Sequence, residues 1–156
     1  MSKGLILGVG NSLMGDEGVG CQAVAHLEKS GLFPQFDFLG GGTGGFHLME
    51  HLIEHDPVIL IDATLDDRPE GTVRLIKPSG YRDFPSTMST HEIGLKDLIT
   101  SLTLIDQLPN MFLIAVSVKD YAGLSLELSE TIANTFPKIE QAIHKVELSL
   151  AKDRTF

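Results

Sequence analysis

Three stretches of this chain are apolar at nearly every position: Leu5 to Val9, Val58 to Ile61 and Met111 to Val118. A strand with one face in water alternates apolar and polar residues. Unbroken runs rich in isoleucine, leucine and valine therefore predict strands buried on both faces, as in a parallel sheet covered by helices. Phe36 to Leu39 predicts a further strand, and Thr72 to Ile76 alternates as an edge strand does. Between these runs the apolar spacing becomes helical. Gly18 to Lys29 places Val19, Ala23, Val24 and Leu27 on one face; Phe46 to Glu54 does so with Phe46, Met49, Leu52 and Ile53, and Gly94 to Leu108 with Leu95, Leu98, Ile99, Leu102 and Ile105. A last helical stretch is expected from an N-cap at Ser125, broken at Pro137, because proline suits the first turn of a new helix better than the middle of one. Alternating strands and helices predict a three-layer α/β/α domain with a mostly parallel central sheet that admits one antiparallel edge strand.

Composition narrows the class. A chain of 156 residues with 42% apolar residues fits a single domain, residues 1–156, with a substantial core. Its net charge of −9 and lack of a lysine or arginine cluster argue against a nucleic-acid partner. The longest apolar runs fall far short of the roughly 20 residues that span a bilayer, so no membrane partner is expected. One cysteine, Cys21, rules out an intrachain disulfide. No cleavage site follows Met1-Ser2-Lys3-Gly4, so a cytoplasmic location is expected.

In a parallel sheet, ligands bind beyond the carboxyl ends of the strands. Asp16 and Glu17 follow the first strand, Asp62 directly follows Val58 to Ile61, and the glycine loop Gly40-Gly41-Gly42-Thr43-Gly44-Gly45 follows the second. All map to one rim. Acids in a first helical turn also arise simply because they suit the helix dipole. Asp62 is harder to explain that way, since a charge at the end of an apolar strand needs a partner or a role. His91, just before a predicted helix, adds a nitrogen ligand. A histidine and two carboxylates from separate strand ends make a reasonable divalent-metal site for zinc, nickel or iron.

Other readings are weaker. Gly8-Val9-Gly10 suggests a nucleotide- or dinucleotide-binding module, but the third glycine of that fingerprint falls at Leu13 and the ribose-binding acid is missing. His47, His51 and His55 recur every four residues and would suit a noncatalytic nickel carrier, yet Glu50 and Glu54 beside them point to a solvated face. Cys21 lies among Val19, Ala23 and Val24 and reads as an inert thiol.

Four motifs then carry a resemblance: Leu7 to Gly20, Gly41 to Gly45, Ile59 to Ala63, and Ser89-Thr90-His91-Glu92-Ile93-Gly94-Leu95. In this order they resemble the hydrogenase maturation endopeptidases, which remove the C-terminal extension from the large subunit of nickel-iron hydrogenases. The resemblance implies a hydrolase grouped with the aspartic peptidases and a metal and catalytic set of Glu17, Asp62 and His91. It also implies a supporting place for Asp16, and Gly41, Gly42 and Thr43 become candidate contacts for the substrate tail. Nickel would be supplied by the partner, a large-subunit precursor, and the enzyme is expected to be a monomer. Many members carry aspartate where this chain has Gly40, with Asp37 displaced along the strand.

Overall fold

Every residue of β1 (Gly4–Val9), β3 (Val58–Thr64) and β5 (Met111–Ser117) is buried, as the apolar runs predict, and β3 continues past its apolar run through Asp62, Ala63 and Thr64, so Asp62 lies within the strand rather than after it. The computed structural model describes residues 3–42, 46–78, 81–85, 95–119 and 124–153. Its sheet runs β2-β1-β3-β5-β4, with β2 (Phe36–Gly42) and β4 (Val73–Ile76) at the edges. Neighbours are parallel except β4, which pairs antiparallel with β5. Helices α1 (Val19–Ser30) and α5 (Phe136–Asp153) cover one face, closing a core of Ile6, Ile59, Ile61, Ala23, Leu27 and Ile143. On the other face, α2 (Met49–Glu54) and α3 (Leu95–Leu104) bring Leu52, Leu98 and Leu102 onto Leu7, Leu60 and Leu113. Each fully buried side chain of this kind contributes roughly 1.5–3 kcal/mol.

Several boundaries differ from the sequence expectation. Gly40 to Gly42 continue β2, so the glycine loop starts later than the composition suggests. α3 stops at Leu104 and leaves Ile105 exposed; Ile53, expected inward, is exposed as well. The largest correction concerns Ser125. It does not cap a helix, because its backbone is committed elsewhere: its N–H donates to Leu13 O at 2.9 Å, and its carbonyl accepts from Gly15 N–H at 2.8 Å. The helical part opens instead with the short α4 (Glu130–Ala133), whose N-cap is Ser129. α5 follows with Pro137 in its first turn, where a missing N–H leaves no helical bond unmade.

The connections locate a crevice. β1 leads into α1 on one face, whereas β3 leads through β4 to α3 on the other. Adjacent parallel strands whose connections diverge in this way leave a gap at their carboxyl ends. The start of α1 presses directly onto that rim. A Cβ at Gly20 would lie 2.2 Å from Ile61 O and 2.6 Å from Val9 O, and one at Gly8 would lie 2.2 Å from Gly20 O. Gly20→Ala is therefore expected to cost about 1–3 kcal/mol in a urea titration, because backbone on both sides has nowhere to move. Gly40→Ala is the control: its nearest neighbour would be Cys21 at 3.9 Å, and its midpoint should shift by less than about 0.5 kcal/mol.

Candidate active site

Glu17 lies on a 3-10 turn, Gly15–Gly18, which rests against β3. The turn precedes α1, so the seating of Gly20 on Ile61 O also sets how far Glu17 stands from the end of β3. Burial pushes the Glu17 carboxyl above the ordinary glutamate range, opposed by a hydrogen bond from the Asn11 backbone. Asp62 occupies β3 one residue past Ile61, the last position paired with β1. Its side chain is fully buried and engaged with its surroundings, as a buried carboxylate must be. Asp62, Ala115 and Arg74 form one row across β3, β5 and β4, so only a methyl group stands between the carboxylate and the arginine's strand. His91, Thr43 and the glycines Gly44 and Gly45 lie outside the described residues.

Asp16 and Glu17 are adjacent but differently employed. Asp16 accepts the Ser129 N–H at 2.7 Å and the Ser129 hydroxyl at 2.8 Å, which ties the acidic turn to the cap of α4. Gly41 is buried and Gly42 half-buried at the end of β2, where Gly42 O accepts the Gly10 N–H at 2.9 Å. Cys21 is half-buried, and its thiol donates to Gly8 O at 3.4 Å.

The histidine strip has local partners. His55 uses both ring nitrogens, one on His51 O at 2.7 Å and the other on Asp37 at 2.9 Å. Among the described residues, no three His, Cys, Asp or Glu side chains are grouped to hold a metal ion. No described helix is long and apolar enough to cross a membrane. The turn after β1 is poorly suited to a phosphate, since two carboxylates precede α1 where an anion would sit.

A family model described as hydrogenase maturation protease matches residues 21–146. The chain belongs to that family. It is 28% identical to the Escherichia coli hydrogenase 2 maturation protease over 89% of this chain and 87% of that one. It is 29% identical to the hydrogenase expression/formation protein HupD of Thiocapsa roseopersicina, of which it spans 65%. Among solved structures, the hydrogenase maturating endopeptidase HybD from E. coli superposes with a TM-score of 0.78 at 26% identity, covering 97% of this chain and 94% of that one. The [NiFe] hydrogenase maturation protease HybD from Thermococcus kodakarensis gives 0.76 at 27% identity, covering 92% and 98%.

In this maturation-protease domain the carboxylate of Asp37 is not available at the rim. Asp37 pairs with Leu5 near the start of β2, roughly 10 Å along the strand from Gly40. There, hydrogen bonds from His55 and from Lys3 hold its carboxyl below the usual aspartate range. The sequence reading missed two supports of the site. Ser129 was hidden because Ser125 offered an equally good cap signal. The second support is Asp66, in the loop leaving β3, which accepts from Arg68 N at 2.9 Å, Ser117 Oγ at 3.3 Å and Arg74 at 3.4 Å.

The Asp16–Ser129 link should appear in a double-mutant cycle: Asp16→Ala and Ser129→Ala together are expected to couple by about 1 kcal/mol in unfolding free energy. Asp66 carries a pH signature. Burial alone would raise its carboxyl, but the Arg68 N–H, the Ser117 hydroxyl and the charges of Arg68 and Arg74 outweigh it and hold Asp66 below the ordinary aspartate range. A depressed carboxyl stabilises the fold above its unfolded value and loses that contribution as pH falls through the folded one. Asp66→Asn should therefore cost about 1–3 kcal/mol at neutral pH, and the difference from wild type should shrink steadily in urea titrations below about pH 4.

Proposed function

We propose that this chain is the endopeptidase that removes the C-terminal extension of a nickel-iron hydrogenase large-subunit precursor, acting after nickel has been inserted. What supports this reading is the family match over residues 21–146, together with the packing of the Glu17 turn against β3, the strand that carries Asp62. On this reading Glu17, Asp62 and His91 reach the nickel carried by the substrate. Three such ligands make an incomplete shell, which holds free metal weakly and completes itself only on a loaded precursor. Coordination thus acts as the specificity test, and an unloaded precursor is left uncut.

The chain's residues divide the work by environment. Fully buried Asp62 provides a fixed carboxylate. Glu17, whose carboxyl burial pushes above the ordinary glutamate range, exchanges a proton during attack on the scissile carbonyl when it is not bound to the metal. In this sense the enzyme is carboxylate-dependent, as the aspartic-type grouping implies. On this reading Gly41, Gly42 and Thr43 contact the extended tail, and Asp16 braces the turn through Ser129. A monomer working in the cytoplasm fits this scheme, since the precursor brings both the metal and the bond to be cut.

Purified Glu17→Gln, Asp62→Asn and His91→Ala variants, each checked for a wild-type melting profile, should cut a nickel-loaded precursor at least about a hundredfold more slowly. A variant lacking His47, His51 and His55 should cleave normally. Undiminished cleavage by all three site variants would remove the proposed ligand set, and tight nickel binding in calorimetry, lost from the variant without the helical histidines but kept by His91→Ala, would favour the carrier reading.

A further inference from the structure

Beside the Glu17 turn, three leucines face solvent: Leu13 is 56% exposed, Leu124 84% and Leu126 70%. Large exposed apolar side chains scattered singly are ordinary, but a group of them held together marks a contact surface. These three are held. The segment carrying Leu13 and the segment carrying Leu124 and Leu126 are joined by the Ser125 N–H to Leu13 O bond at 2.9 Å and the Gly15 N–H to Ser125 O bond at 2.8 Å. Gln22 on α1 donates from its side chain to Leu126 O at 3.0 Å. Asp16, next to Glu17, grips Ser129 twice, at 2.7 and 2.8 Å. Exposed leucines on a pinned ribbon lose little conformational freedom on binding, so the surface is preorganised. Leu104 and Ile105 are also exposed, but they lie at the far end of α3, away from the crevice.

Charge decides what the ribbon can meet. Asp16, Glu17, Glu127 and Glu130 stand around the leucines in sequence and structure, on a chain of net charge −9. An anionic membrane surface would be repelled by that rim. A second copy of this chain would present the same acids, and would cover the crevice that a substrate must enter. An apolar protein surface bordered by lysine or arginine satisfies both the leucines and the acids.

We propose that Leu13, Leu124 and Leu126 form the docking face for the folded body of the large-subunit precursor, which seats an apolar patch with a basic rim there and so delivers its tail to Glu17. This rests on the proposed protease function and adds a recognition surface separate from the metal contacts. It assigns affinity to the ribbon and chemistry to the crevice.

The test compares wild type, Leu124→Gln/Leu126→Gln and Leu124→Met/Leu126→Met, using nickel-loaded precursor in steady-state cleavage and in direct binding by interferometry. The glutamine pair should melt as wild type does, raise KM and Kd about tenfold or more, and keep kcat within about twofold. The methionine pair should restore both values, and salt at about 0.5 M should weaken wild-type binding several-fold. An unchanged KM and Kd in the glutamine pair would overturn the docking face while leaving the protease reading intact. Sedimentation showing a wild-type dimer that the glutamine pair dissolves would overturn it too, as a self-interface. If wild type leaves the precursor uncut, the protease reading fails, and the Kd comparison still decides whether the ribbon binds it.

Discussion

Everything at the rim depends on one close backbone contact, the seating of Gly20 on Ile61 O and Val9 O with Gly8 beneath it. Protein interiors pack at crystal-like density, so a methyl group at this point would lift the start of α1 away from β1 and β3. Glu17 stands three residues before Gly20, and Asp62 follows Ile61 directly. The contact therefore fixes the turn that carries Glu17 against the strand that carries Asp62. It also gives the glycines after β1 a structural purpose that needs no nucleotide.

A second set of constraints surrounds this one. Asp16 bonded to Ser129, Ser125 bonded to Leu13 and Gly15, and Gln22 bonded to Leu126 O fasten the acidic turn to the start of the C-terminal helices. On the opposite side of the crevice, Asp66 with Ser117, Arg68 and Arg74 fixes the exit of β3 to β5 and β4. The crevice is thus framed by polar ties at its edges and by apolar layers beneath. That division suits a site that must hold carboxylates in fixed positions, because a dry core supplies rigidity and charged hydrogen bonds supply direction.

Much of this was legible in the residues themselves. The buried strands, the alternating edge strand β4 and the break at Pro137 followed from hydrophobic period and from proline's missing N–H, which are local properties. The motifs match the family to which the chain belongs. Errors occurred where local signals were ambiguous. Ser125 and Ser129 both look like helix caps, and the choice between them was made by residues 13 and 15, more than a hundred positions away. The place of Asp37 was equally opaque, since pairing with Leu5 and bonding with His55 and Lys3 are properties of the folded sheet.

By itself, then, the sequence determined which segments must be buried and which carboxylates lie toward the carboxyl ends of the strands. These depend on side-chain chemistry and on periods of two and 3.6, which are visible within a few residues. Tertiary structure alone decided that Ser129 is the residue that braces Asp16. It also decided that Leu13, Leu124 and Leu126 share one surface, because strand order and long-range hydrogen bonds bring distant segments together after the local rules have been satisfied.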